Sequence, residues 1–193
     1  MYTHQLTTTY YKLYCINKME CIDLRMSNDK FSINDIIKNN IIPDPSAYAL
    51  FQGGPLAPDL NGRALFCSLT DGILLKVSVT GIPKYNSEGE PSLFHGFHIH
   101  EFENCNIGVP GDPFKTTGGH WNPTNEPHPY HYGDLPPLMS SNGIAAMDVY
   151  LSRFSIKDII GKAIIIHENA DDFTSQPSGN SGKRLACGII MPT

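Results

Sequence analysis

His98 and His100 stand one residue apart in FHGFHIHEF, a run that alternates as a β-strand does. At a strand period of two, both imidazoles leave the same face, close enough to share one metal ion. His120, His128 and His131 follow in GGHWNPTNEPHPYHYGD, Asp134 comes three residues after His131, and His167 ends another strand-like run. Neutral imidazole suits Cu(II) and Zn(II), and a carboxylate completes a tetrahedral zinc set without a thiol. Any one of these histidines alone reads as a surface or hydrogen-bonded residue. Six of them with one carboxylate, on two strand ends and the loop between, read as metal chemistry.

The elements that must position them form an all-β pattern. Residues 47–51, 64–69, 73–80, 92–102, 143–151, 163–167 and 186–191 are short runs rich in β-branched and aromatic residues. Turn signals separate the first of them at Gly53-Gly54-Pro55, Asn61-Gly62 and Asp71-Gly72. Strands so spaced predict a β-sandwich or barrel. Two long segments interrupt it, residues 103–137 and 169–183, and connections of that length are usually functional or disordered. The first carries most of the remaining histidines, which favours function. Upstream, residues 1–31 are polar and aperiodic and read as a flexible leader. Ser32 before Asn34-Asp35 and Ile36-Ile37 opens one short helix, ended by Pro43 and Pro45.

The chain has 193 residues, enough for one domain with an extension, and a formal net charge of −5. Residues 1–45 hold five basic and five acidic side chains, so the deficit belongs to residues 46–193. That balance argues against a nucleic-acid groove. No apolar run approaches the ~20 residues of a membrane span. The first residues lack an uninterrupted apolar stretch with a small-residue cleavage site, which leads to the expectation of a cytoplasmic protein. Five cysteines fit neither a dense disulfide scaffold nor a zinc-finger array. Cys15 and Cys21 do not form CxxC, which argues against a redox or copper-transfer site there, and Cys67 reads as a small buried hydrophobe.

In GFHIHEF, GGHWNP followed by His128, HYGDLP, IIIHENADD and GNSGKRLACGII, the sequence resembles the copper–zinc superoxide dismutase family. The matches lie in the family's order across residues 46–193. The resemblance implies a flattened Greek-key β-barrel of eight strands with two long functional loops, preceded here by an extension over residues 1–45. It implies copper on His98, His100, His120 and His167, and zinc on His120, His128, His131 and Asp134, with His120 bridging. Asp171 matches a carboxylate that hydrogen-bonds a copper ligand and a zinc ligand at once, and Arg184 an arginine beside the copper that receives a small anion. His120 and Arg184 are thus the expected catalytic residues, with Lys183 and Arg184 adding positive potential at the mouth. His95 is set aside as a hydrogen-bonding residue. Cys105 and Cys187 match the family's intrasubunit disulfide, which would close a loop worth roughly 4–5 kcal/mol on a chain-entropy reckoning.

The implied activity is disproportionation of superoxide, with a homodimer and a copper-loading chaperone as implied partners. The chain departs from the family pattern in three places. Only Pro129 and Tyr130 separate His128 from His131, Cys105 follows His100 by five residues as in bacterial members, and residues 169–183 lack the acidic pair many eukaryotic members carry. An alternative reading is an inactive relative that sequesters copper or acts as a decoy for a copper chaperone. Such relatives usually lose a copper ligand or the arginine, and this sequence keeps them all. The residues before 46 match nothing in the family core, and Met19 or Met26 offers an alternative start.

Overall fold

Alternation of apolar and polar residues builds the sheet, as in Ala47–Gly53 (β3), where Ala47, Ala49 and Phe51 turn inward and Leu50 outward. The computed structural model describes residues 14–17, 20–22 and 30–193. In the first two ranges, Tyr14–Asn17 (β1) and Glu20–Ile22 (β2) form an antiparallel hairpin. Apart from that hairpin, Lys30 and Phe31, the leader expected over residues 1–31 lies outside the described residues.

The main sheet is antiparallel and curled, and it comprises β3, Asn61–Ser68 (β4), Ile73–Thr80 (β5), Phe97–His100 (β7), Ala145–Leu151 (β11), Ala163–His167 (β12), Arg184–Ile189 (β13) and Met191–Pro192 (β14). Its order is β11-β5-β4-β3-β13-β12-β7, with β14 also pairing β3. Strands β5 and β7 are near neighbours in sequence yet lie far apart in that order. The chain crosses over between them and again before and after β11, which is the Greek-key pattern. Phe66, Leu75, Phe97, Ile99, Ile164, Ile166 and Ile190 fill the concave side with almost no solvent exposure.

Three expectations shift in detail. Asn61-Gly62 lies inside β4, paired to β3 and β5, because the turn is made earlier by bonds from Ala57 N–H to Gly54 O and Leu60 N–H to Ala57 O. The run 92–102 divides into Phe94–His95 (β6) and β7 at Gly96. A Cβ on Gly96 would lie 2.5 Å from Ser181 Oγ, so this close approach requires glycine. Strand β13 starts at Arg184, two residues before the expected run, and so places that arginine beside His167. Two small pairs complete the strands: β6 with Leu138–Met139 (β10), and Gly108–Val109 (β8) with Asp112–Pro113 (β9).

The expected helix is Ile33–Asn39 (α1), capped by Ser32, whose hydroxyl accepts from Asp35 N–H while the Asp35 carboxylate accepts from Ser32 N–H. Its Ile33 and Ile36 lie on Cys67, Leu69 and Leu74, on the convex face of β4 and β5. A second short helix, Ile156–Ile159 (α2), has no counterpart among the expected elements; Ser155 N–H and its hydroxyl both donate to the Asp158 carboxylate at its start. Residues 31–193, α1 included, make one compact unit.

Candidate metal centre

Strands β7 and β12 pair in register, with Ile164 opposite Ile99 and Ile165 opposite His98. Alternation sends Phe97, Ile99, Ile164 and Ile166 into the core, so His98 and His100 must leave by the opposite face. A register shift between Ile166 and His167 turns the last residue of β12 towards them. The long segment after β7 then zips onto the edge of that strand. Ile99 N–H donates to Gly133 O, Trp121 N–H to Ile99 O and Glu101 N–H to Gly119 O, at 2.8–3.1 Å. These bonds set His120 opposite His100 and Asp134 opposite His98. Trp121 anchors the segment by packing on Tyr132 and Phe154.

The hydrogen bonds fix where each ring carries its proton. His98 Nε2–H donates to Asp171 Oδ2 at 2.8 Å, so His98 Nδ1 is a bare lone pair. His100 Nδ1–H donates to Gly118 O at 3.0 Å and His167 Nδ1–H to Gly182 O at 3.3 Å. Their Nε2 atoms therefore face each other as two lone pairs 3.3 Å apart, an arrangement that a cation between them would relieve. His120 Nδ1–H donates to Asp134 Oδ1 at 2.7 Å, which frees its Nε2. His98 Nδ1 and His120 Nε2 are buried without any hydrogen-bond partner among the described residues. One potential ligand atom from each of His98, His100, His120 and His167 lies within 4.8 Å of the others.

A second cluster shares His120. His128 Nε2–H donates to Asp171 Oδ1 at 2.9 Å, leaving Nδ1 bare, 3.1 Å from Asp134 Oδ2 but outside hydrogen-bond geometry. His131 Nδ1 is likewise unpartnered, 3.3 Å from the same oxygen. His120, His128, His131 and Asp134 present ligand atoms within 4.8 Å of one another, and His120 serves both clusters only if the Nδ1 proton it gives to Asp134 leaves. The two-residue spacer suffices because the chain turns at Pro129, with Tyr130 N–H on Pro127 O. Buried lone pairs without donors are costly in a protein interior unless a cation takes them. Three imidazoles and a carboxylate, beside four imidazoles, are donor sets that fit two metal ions.

Burial keeps His98, His100, His131 and His167 neutral. Burial, only partly offset by Asp171, pushes His98 down to about 4. His100 and His167 fall well below the ordinary imidazole range through burial and then through neighbouring imidazoles. Burial also lowers His131. Burial pushes the Asp171 carboxyl up, but the bonds from His98, Phe173 N–H and His128 outweigh it and hold the group at about 2. Asp134 is lowered in the same manner by His120 and its neighbours. Asp171 thus stays an acceptor on both oxygens and fixes the tautomer of one ring in each cluster. Gly179 covers this junction in a left-handed conformation (φ +63°), and a Cβ there would lie 1.9 Å from Asp171 Oδ1.

The first cluster opens onto a cleft of about 420 Å³ whose lining includes His100, His120, His167, Lys183 and Arg184. Arg184 is clamped by two carbonyls, Phe114 O at 3.0 Å and Gly118 O at 2.9 Å. The Cys105–Cys187 disulfide ties the segment bearing those carbonyls to the strand that bears Arg184. The mouth is not purely basic, because Glu101 and Asp112 also line it, Asp112 paired to Lys115 at 2.9 Å.

Residues 61–190 match the model of the family described as Copper/zinc superoxide dismutase (SODC). The chain belongs to the copper/zinc superoxide dismutase family. It is 33% identical over 157 residues to a Cu-Zn superoxide dismutase of Legionella pneumophila, covering 77% of this chain and 88% of that one. It is 40% identical over 116 residues to the superoxide dismutase-like protein YojM of Bacillus subtilis, covering 52% and 57%. The crystal structure of a double mutant of a SOD-like protein from Bacillus subtilis superposes with a TM-score of 0.61 at 31% identity, covering 75% of this chain and 96% of that one.

For this dismutase-family chain, the fold brings every expected site residue to one place. His95 stands apart as a hydrogen-bonding residue, with Nδ1 on His167 O at 3.0 Å and Nε2 on Ser140 Oγ at 3.2 Å. Sequence reasoning missed the carbonyls of Phe114, Gly118 and Gly182, which carry no side-chain signal. It also missed Gln176, a polar residue in a loop without periodicity.

Proposed function

We propose that this chain disproportionates superoxide to dioxygen and hydrogen peroxide. Copper would be held by His98, His100, His120 and His167, and zinc by His120, His128, His131 and Asp134. The all-nitrogen set suits copper and the carboxylate-bearing set suits zinc. The observation that carries the reading is the convergence of four bare imidazole lone pairs beside a cleft that also holds Arg184. When bound, copper would supply the one-electron Cu(II)/Cu(I) couple that disproportionation of two superoxide ions needs.

The chain's own residues do the rest. Two N–H groups of Arg184 are spent on carbonyls, and its remaining donors are free to bind a small anion in the cleft. His120 Nε2, which has no partner in the fold, would carry a proton to the departing peroxide in the half of the cycle in which it is not a copper ligand. The second proton comes from water. Asp171 keeps His98 and His128 in the tautomer whose Nδ1 can ligate. Local potential, not the formal −5, governs the encounter: Lys183 and Arg184 attract the anion, while Glu101 and Asp112 weaken that attraction.

The test is superoxide disproportionation measured together with metal content for wild type, His98→Ala and Arg184→Ala. His98→Ala should lose copper and activity together. Arg184→Ala should keep both metals, turn over more slowly and depend less on salt. Wild-type protein carrying both metals yet inactive would overturn the enzyme reading and favour copper sequestration.

A further inference from the structure

His128 is held at two ends by one loop. Its ring is fixed by Asp171, as described above. Its main chain is fixed by Gln176, 48 residues away: His128 N–H donates to Gln176 Oε1 at 3.0 Å, and Gln176 Nε2 donates to His128 O at 2.7 Å. A side-chain amide carries an acceptor oxygen and a donor nitrogen, so it can satisfy a peptide N–H and a peptide C=O together. No main-chain group among the described residues bonds to either atom of His128, and His128 is almost wholly buried. Gln176 therefore supplies a pair of contacts whose loss leaves a buried peptide unsatisfied.

The loop presents Gln176 by its own local bonds. Asp172 Oδ1 accepts from Thr174 N–H at 2.9 Å and Ser175 N–H at 2.8 Å, and Phe173 N–H donates to Asp171 Oδ1 at 2.8 Å. Gly179 N–H then donates to Ser175 O at 2.7 Å, and Asp172 N–H to Gly179 O at 2.9 Å. Residues 171–179 thus form a self-bonded turn that offers a carboxylate and an amide to the same histidine.

We infer that Gln176 is a positioning residue for the zinc set, clamping the His128 main chain so that Nδ1 is delivered to His131 and Asp134. The inference rests on the assignment of zinc to His120, His128, His131 and Asp134. With only Pro129 and Tyr130 before His131, a shift of the His128 main chain cannot be absorbed by the spacer. It moves one ligand against the next. Copper ligation depends on this clamp less directly, because His128 is not in the copper set.

The experiment uses the full chain, stripped of metal and titrated with Zn(II) against a chelating dye, with Co(II) absorption as a geometric readout. Gln176→Ala should weaken Zn(II) binding by about 10–100-fold, the range for partners that orient a ligand, and alter the Co(II) visible bands. Gln176→Glu keeps the acceptor but sets a carboxylate oxygen against His128 O, so it should fail similarly and serves if the alanine variant does not fold. Leu75→Val, a core change remote from the loops, controls for destabilisation and should leave both readouts unchanged. Unchanged Zn(II) affinity in both Gln176 variants overturns the clamp, as does an equal loss in Leu75→Val. His131→Ala and Asp134→Ala separate the two levels: if they keep wild-type Zn(II) affinity, the zinc assignment itself fails.

Discussion

Replacing Asp171 by asparagine changes almost no volume and removes one capability. The carboxylate accepts on both oxygens, from His98 at 2.8 Å and His128 at 2.9 Å. An amide accepts on one side and donates on the other. Facing one ring it can still receive Nε2–H, but facing the other it presents N–H and requires a lone pair on Nε2. That ring must then move its proton to Nδ1, the atom meant for the metal. Orienting partners of this kind are worth about 10–100-fold in metal affinity, or about 1.4–2.7 kcal/mol. The carboxyl is held at about 2 against an ordinary 3.8, so its ionised contacts contribute about 2 kcal/mol to the metal-free fold at neutral pH. Asp171→Asn should therefore lower the metal-free urea stability by that order. It should also weaken one metal by at least tenfold: zinc if the His128 ring reverses, copper if His98 does. Nitrogen–proton correlation spectra of the metal-free protein identify the reversed ring, and competition titrations measure each metal. If both rings keep Nε2–H and both affinities stay within twofold of wild type, the tautomer argument is wrong.

The metal-free protein should lose stability with acid sooner than its carboxylates alone would require. His98 stays neutral in the fold down to about 4, whereas the unfolded chain protonates it near 6.5. Its contribution is therefore whole above 6.5 and lost as pH falls from 6.5 towards 4, about 3 kcal/mol in all. His95, His100, His131 and His167 are lowered too and steepen the fall, while Asp171 adds its loss only between 3.8 and about 2. A urea midpoint that stays flat from pH 7 to pH 5 would refute this account. Cys105→Ser opens a covalent link between residues 82 apart and should cost about 4–5 kcal/mol in urea unfolding. A loss under about 1 kcal/mol would show that the unfolded chain already holds these segments together.

Much of this was legible because strand alternation and ligand chemistry leave marks in sequence. The period of two that sends Phe97 and Ile99 inward is the same period that sends His98 and His100 outward, and both can be read from FHIH. Helix α1 was announced by Ser32 and Asp35. The extent of β4 was misread because Asn61-Gly62 is a turn signature in isolation, and long-range pairing with β3 and β5 overrode it. Helix α2 has only four residues, too few for a helical period to show. The acids at the mouth were invisible for another reason: Glu101 and Asp112 reach the cleft through the course of the long segment, and no local pattern records that course.

Helix α1 also bears on how the chain acquires its one described disulfide. Cys67 competes in principle with Cys105 and Cys187 during oxidation. It lies beneath Ile33 and Ile36, almost fully buried, with Sγ–H on Pro43 O at 3.4 Å. Burial pushes its thiol up to about 11, which leaves about one molecule in 10⁴ as thiolate at pH 7. Only the thiolate attacks a disulfide. Once the helix is seated, scrambling through Cys67 becomes a matter of waiting for local opening, and fidelity of pairing is set by the kinetics of that short strap.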